Sequence, residues 1–209
     1  MPAWKRGLDL FGILLLLPAA LPLMAFLWMF IKWVSPGPAV FRQERMGFRG
    51  RPFTCLKFRT MKINAEVDTH QFHVRDLIAS NKPMQKIDGN DPRVIRFGNI
   101  LRSSGLDELP QLINVLRGEM SLVGPRPCTR YEYEQYTEAH RRRFNAAPGL
   151  TGLWQVSGKN RTTFSEMVEL DIAYTEKKTL WMDLKILTKT AGVVLDQMNQ
   201  LRANRRQQS

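Results

Sequence analysis

Asp107 and Glu108 stand side by side just ahead of Leu109 and Pro110, in the stretch SSGLDELPQLINVLRGEMSLVGPRP that runs from Ser103 to Pro127. The proline constrains the helix that follows. Proline is tolerated in a first helical turn, whose N–H groups lack intrahelical partners, and is costly further in. With Pro110 at the third helical position, Asp107 becomes the N-cap and Glu108 the first helical residue. A carboxylate there is favoured by the helix dipole and by nearby arginines, so Asp107 should stay ionised at neutral pH. The same position is a ready site for a phosphate group. Lys57, Arg59, Arg102, Arg117 and Arg126 supply cations in the surrounding sequence. Such a set can hold phosphates and a divalent ion around one anionic nucleophile, and an aspartate carboxylate can attack phosphorus. Local sequence leaves a plainer alternative open: aspartate is a common N-cap, and an acid at the next position is ordinary helix chemistry.

The whole chain is basic. Its 209 residues hold 31 Lys and Arg against 19 Asp and Glu, a net charge of +12. That balance points to nucleic acid, phosphorylated small molecules or an acidic membrane surface as partners. The length suits one domain able to bury a core. A hydrophobic content of 44% excludes a polytopic membrane protein. Cys55 and Cys128 are the two cysteines, far apart and without metal-ligand spacing, which predicts reduced, buried thiols.

The elements that must position the acidic pair follow from periodicity and punctuation. SPGPAV, Ser35 to Val40, ends the N-terminal segment. VFRQE and PFTCLKFRTM flank a turn bearing Gly47 and Gly50, which predicts a small β-hairpin. In its second strand Leu56 and Phe58 face one way, Lys57 and Arg59 the other. Residues 62–90 are polar and mixed, and predict a helix plus loops. His70 and His73 there lack further ligands and are expected at the surface rather than on a metal. A helical pattern from Val94 through Phe97, Ile100 and Leu101 stops at SSG. Another places Leu109, Leu112, Ile113 and Leu116 on one face and closes at Gly118. SLVGPRP predicts a short strand entering a proline-locked loop. APGLTGLWQVSGKN is a second Gly-rich stretch, and the Thr163–Glu166 capping box starts a helix to about Lys177. The tail from Leu180 mixes Trp181, Leu184 and Leu187 with Lys185 and Lys189, a pattern suited to a membrane-interface helix or to packing on the core.

From Phe11 to Ile31 there are 21 uncharged residues, flanked by Lys5, Arg6 and Asp9 before and Lys32 after. As a straight helix this is about 31 Å, enough to span a bilayer. The apolar run exceeds a signal-peptide core, and FIKWVSPG lacks a small-x-small cleavage site. Pro18 and Pro22 lie in its middle, and basic residues flank both ends, against the positive-inside tendency for a single crossing. A re-entrant hairpin that bends at the prolines and a kinked span are both open on these residues.

Taken together, KRGLDL, the Pro-broken apolar segment, SPGPAVFRQERMGFRGRPFTCLKFRTM, LRSSGLDELPQLINVLRGEMSLVGPRP and PGLTGLWQVSGKNRTTFSEMVELDIAY resemble the bacterial sugar transferase family. These are the monotopic polyprenyl-phosphate phosphoglycosyl transferases that begin glycoconjugate assembly. The likeness extends to about Thr190 and, as a set of motifs in order, is highly specific; ANRRQQS beyond it carries no motif. It implies an α+β, mostly helical fold with a re-entrant helix–break–helix membrane hairpin over residues 1–34. A cytoplasmic catalytic domain over 35–190 with a small β-hairpin and amphipathic interfacial helices would follow, then an amphipathic, basic tail over 191–209. The resemblance matches Asp107 to the family nucleophile and Glu108 to the second member of its dyad, with Mg²⁺ expected at Asp107. Lys57 and Arg102 match basic residues beside the active site. Arg126 lies in the family's Pro-Arg-Pro turn, and Arg59, Arg117, Gln155 and Arg161 are expected to bind substrate or phosphate.

The implied reaction moves a sugar 1-phosphate from a UDP-sugar to undecaprenyl phosphate, releasing UMP, at the cytoplasmic face of the bacterial inner membrane. GLWQVSGKN looks more like members that transfer hexose phosphates such as glucose or galactose. Beside larger members, which carry several N-terminal transmembrane helices and an extra domain, the resemblance implies a minimal form. Membrane lipid is a further expected partner, and self-association stays open. A non-catalytic, membrane-tethered basic module is the competing reading. No helix-turn-helix, RNP-like or zinc signature supports nucleic acid as its partner, and a lipid scaffold leaves Asp107 and Glu108 without a role.

Overall fold

One helix, α1, runs from Ala3 to Val34 and carries both Pro18 and Pro22 inside it. The computed structural model describes residues 1–62, 80, 83, 93–158 and 161–206, with side chains of the last helix described to residue 193. The sequence suggested a break at the prolines; α1 is instead continuous through them. Each proline removes the bond its own N–H would donate, to the carbonyl of Leu14 or of Pro18, and its ring crowds that carbonyl, while the neighbouring bonds carry the helix across. The expected helix and loops of residues 62–90, with His70 and His73, lie outside the described residues except at Lys62, Ser80 and Pro83.

The buried residues of α1 are Lys5, Asp9, Ile13, Ala20, Leu27 and Ile31, a single stripe down one face. The other face leaves Phe11, Leu14, Leu15, Phe26, Met29 and Trp33 exposed. Near its start the stripe packs with Leu112, Val115, Met120 and Leu122. Near its end it packs with Ala39, Phe58, Ile95 and Leu101. The helix therefore lies along the rest of the protein at both ends, although by length and apolarity it could cross a membrane.

Three charged residues of KRGLDL anchor the amino end. Lys5 Nζ, 1% exposed, donates to Asp183 Oδ2 at 2.6 Å and to the Tyr174 hydroxyl at 2.9 Å. Arg6 donates to the carbonyls of Val115 (2.5 Å) and Leu116 (2.7 Å) at the C-terminal end of a later helix, where a cation meets the negative end of the dipole. Asp9 Oδ1 accepts from Ser121 Oγ at 2.8 Å and from the Leu122 N–H at 2.9 Å.

The hairpin forms as the alternation predicts. Strands β1 (Val40–Met46) and β2 (Pro52–Phe58) pair antiparallel from Val40↔Phe58 to Met46↔Pro52, around a 3₁₀ turn at Phe48–Gly50. Helix α2 (Gly98–Ser104) starts later than the periodicity from Val94 suggests. Val94 is held in a bridge to Met61, Ile95 N–H bonds the Thr60 carbonyl at 3.0 Å, and Phe97 adopts φ 67°. Helix α3 (Gln111–Arg117) ends at Gly118, φ 78°, as a helix-closing glycine should.

Two loops then meet through a parallel pair, β3 (Ser121–Val123) and β4 (Gly149–Thr151). A Cβ on Gly124 would lie 2.2 Å from the Ala147 carbonyl oxygen, and one on Gly149 would lie 2.1 Å from the Gly124 nitrogen. The glycines of the GPRP and PGLTG stretches thus let two backbones touch. Short helices α4 (Arg130–Glu134), α5 (Glu138–Arg141) and α6 (Leu153–Val156) lead to α7 (Phe164–Lys177), whose capping box at Thr163 and Glu166 is formed. Helix α8 (Leu180–Arg206) closes the described chain. The result is mostly helical, with the small hairpin and an apolar N-terminal helix.

Candidate active site

Gly105, φ 72°, ends α2 and turns the chain into a 3₁₀ turn, Leu106–Glu108, that carries both carboxylates. Its bonds run from Glu108 N–H to the Gly105 carbonyl (3.0 Å) and from Leu109 N–H to the Leu106 carbonyl (3.3 Å). This corrects the expected cap. Pro110, not Asp107, precedes the α-helix, and the α-ladder begins only at Gln111. Pro110 has no N–H to give the Leu106 carbonyl, so the preceding turn closes on the tighter i to i+3 pattern. Asp107 remains half-buried near the amino end of α3, one turn further out than the proline suggests.

Lys57 projects from β2 to the same place. Its Nζ lies 2.8 Å from Glu108 Oε1, with the two side chains 29% and 39% exposed. The pair is open enough to exchange with a ligand, and surface pairs of this kind contribute little to stability. Strand and turn are locked together from beneath by Asn114, which is fully buried on α3. Its Oδ1 accepts from Leu56 N–H at 3.1 Å, and its Nδ2 donates to the Thr54 carbonyl and to Glu119 Oε2, both at 2.7 Å. Asn114 therefore sets where Lys57 stands relative to the acidic turn. Periodicity passed over it; the available signal was an amide between Ile113 and Val115 in an apolar run. Asn114→Leu should cost about 2–4 kcal/mol in stability by stranding the Leu56 N–H and Thr54 carbonyl, read as a lowered denaturation midpoint.

The remaining basic residues divide. Arg102 lies half-buried on α2, five positions before Asp107. Arg59 is buried, with its guanidinium on the carbonyls of Pro36 (2.7 Å) and Ser35 (2.8 Å) past the end of α1. Arg117 is exposed at the far end of α3, roughly 15 Å of helix from Asp107. Arg126 is ion-paired with Glu132 at 3.0 Å and lies over the Trp154 ring, 5.9 Å from its centroid. Burial opposes the charge on Glu132, but Arg126 and Arg45 hold its carboxyl down to about 2. Arg143 and Asp171 form a fully buried pair behind them. Gln155, on α6, keeps a buried Oε1 without a partner among the described residues, and Arg161 is exposed before α7. Lys57 and Glu108 are thus joined directly beside Asp107, while Arg59 and Arg117 are held elsewhere by backbone partners or helix position. Cys55 and Cys128 are free and buried as expected, and burial pushes the Cys128 thiol up to about 12.

Two adjacent carboxylates suit a hard cation. Among the described residues no group of three His, Cys, Asp or Glu could cage a metal. The donor set fits Mg²⁺, which takes one or two protein carboxylates and fills its shell with substrate phosphates and water.

The chain is 43% identical over 192 residues to the UDP-galactose-lipid carrier transferase of Erwinia amylovora, covering 91% of this chain and 40% of that one. It is 42% identical to the UDP-glucose:undecaprenyl-phosphate glucose-1-phosphate transferase of Caulobacter vibrioides, covering 91% of this chain and 69% of that one. With the exopolysaccharide production protein ExoY of Sinorhizobium fredii it shares 39% identity, over 91% and 84% of the two chains. Against several relatives, the Erwinia protein included, the chain spans about two fifths of their length. The family profile of the bacterial sugar transferases matches residues 1–197, and the chain belongs to that family.

Proposed function

We propose that this chain transfers a hexose 1-phosphate from a UDP-sugar to undecaprenyl phosphate, with release of UMP, as a first step of polysaccharide or glycoconjugate synthesis. The observation that carries the reading is the Lys57–Glu108 pair held at 2.8 Å beside Asp107 on a rigid turn. The relatives named for transfer of galactose and glucose phosphates support the substrate class.

The chemistry runs in two displacements. An Asp107 carboxylate oxygen attacks the β-phosphorus, and the bond from that phosphorus to the bridging oxygen breaks as UMP leaves. An oxygen of undecaprenyl phosphate then attacks the aspartyl phosphosugar, and the carboxylate departs. Lys57 neutralises charge on the transferring phosphoryl group, and Glu108 orients the lysine. Arg102, on the helix before the turn, would meet an outer phosphate oxygen in this reading. Mg²⁺, held by Asp107 together with the substrate, would supply neutralisation of the diphosphate.

The bilayer supplies the lipid substrate, so α1 sets the depth of the site. Its buried stripe rests on the domain at both ends, some 39 Å of helix apart at 1.5 Å per residue, while the opposite apolar face is exposed. A helix crossing the membrane would carry its amino end away from Asp183, Ser121 and the α3 carbonyls. A placement with both ends of α1 on one side of the bilayer keeps Lys5, Arg6 and Asp9 beside their partners, and in this reading the protein is monotopic on the cytoplasmic face of the inner membrane. Trp181 and Leu180, 81% and 48% exposed at the start of α8, are suited to the same interface. A cysteine at position 2 should therefore resist periplasmic labelling in intact cells; efficient labelling would mean a true crossing.

The activity is tested by a UMP-release screen across UDP-sugars with undecaprenyl phosphate and Mg²⁺. UDP-glucose or UDP-galactose should give UMP. Release only from amino-modified sugars would correct the donor, and no release from any donor would reject the reading.

A further inference from the structure

We infer that the cleft between the end of α1 and the segment before α2 binds the phosphate of an anionic bilayer phospholipid, as a site separate from the acidic turn. The cleft holds about 380 Å³ and is lined by Val34, Ser35, Pro36, Lys62, Ile95 and Arg96. Among the described residues its lining has two cations and no acid. Its wall is rigid: Met61 and Val94 form a bridge, and Lys62 N–H bonds the Arg93 carbonyl at 2.7 Å. Ile95 is buried against Leu27 and Ile31 of α1. The carbonyls of Ser35 and Pro36 at the cleft accept from Arg59. Lys62 and Arg96 are both exposed, so their charge faces whatever enters.

Position singles out a lipid. The cleft adjoins the exposed aromatic end of α1, where Phe30 meets Phe26 at 6.1 Å, Trp33 at 6.4 Å and Phe97 at 5.7 Å. Phe97 is 44% exposed and sits at φ 67°, a left-handed conformation that disfavours a bulky residue. The backbone is held there while Arg96 stacks on the Phe97 ring at 5.3 Å. Aromatic rings at headgroup depth beside paired cations fit a lipid phosphate with its acyl chains against α1. The site lies at the opposite end of α2 from the turn bearing Asp107, so it would steady the approach of α2 to the bilayer rather than take part in transfer.

This inference rests on α1 lying in the bilayer, and its readout is bound lipid rather than turnover, so its failure is distinguishable from failure of the transferase reading. Phosphatidylglycerol and phosphatidylcholine are titrated onto the purified full chain and counted by native mass spectrometry. Phosphatidylglycerol should bind preferentially. Lys62→Gln with Arg96→Gln should weaken it about twenty-fold, while Lys62→Arg with Arg96→Lys should keep it. Arg49→Gln with Arg141→Gln, which removes equal charge at the cleft beside Tyr133, should stay near wild type. Unchanged binding in the first variant, or an equal loss in the last, would overturn the site. Displacement of the lipid by an equal concentration of inorganic phosphate would overturn its assignment to a lipid.

Discussion

Asp107→Asn should lower UMP release by at least about 10³-fold while leaving the melting curve in place. The amide keeps the shape of the side chain and removes the negative oxygen that would attack phosphorus. Asp107 is half-buried on a short turn whose backbone bonds do not depend on its side chain, so the fold should survive. Glu108→Gln should act differently. It weakens the pairing with Lys57 across 2.8 Å without taking away the nucleophile, and a loss of roughly 10- to 100-fold is expected. Steady-state kinetics of UMP release on the two variants separates the roles. Comparable, small losses in both would mean that the carboxylates position substrate and that neither attacks.

The second large effect is on stability. Lys5→Met should destabilise the protein by about 3–5 kcal/mol, because it leaves Asp183 buried opposite an apolar side chain. Asp183 is fully buried and its two oxygens face Lys5 and Tyr174. In a chain of this size the loss corresponds to a fall of roughly 10 °C in melting temperature. Adding Asp183→Leu should recover much of it, since removing both charges relieves the stranded one. A single variant that melts like the parent would mean that the amino end of α1 does not sit against α7 and α8.

What could be read before the fold was known follows from chemistry within a few residues. Alternation gave the hairpin, Gly118 the end of α3, and Thr163 with Glu166 the start of α7. Each depends on a local backbone need that the neighbouring residues meet. The partners of long side chains were not legible. Arg59 alternates out of the strand as expected, yet its guanidinium reaches back to carbonyls 23 and 24 residues earlier. Arg117 lies close to Asp107 in sequence and at the other end of a helix in space. Pro110 fits an α-helical third position, but its missing N–H and the left-handed Gly105 before it together give a 3₁₀ turn instead. The prolines of α1 point to a break because each forbids a bond; how many neighbouring bonds remain to carry a helix through is not a local property. Asn114, which aligns strand and turn, needed two strand carbonyl and amide partners some 60 residues away to acquire meaning.

Covalent transfer through Asp107 would leave a trapped adduct that intact-mass analysis can read. The full chain is incubated with UDP-sugar and Mg²⁺ in the absence of undecaprenyl phosphate, then quenched and digested. A gain of one sugar phosphate per chain, mapped to Asp107, is expected, with an equal amount of UMP released. An adduct on another residue, or no UMP until the lipid acceptor is added, would contradict it.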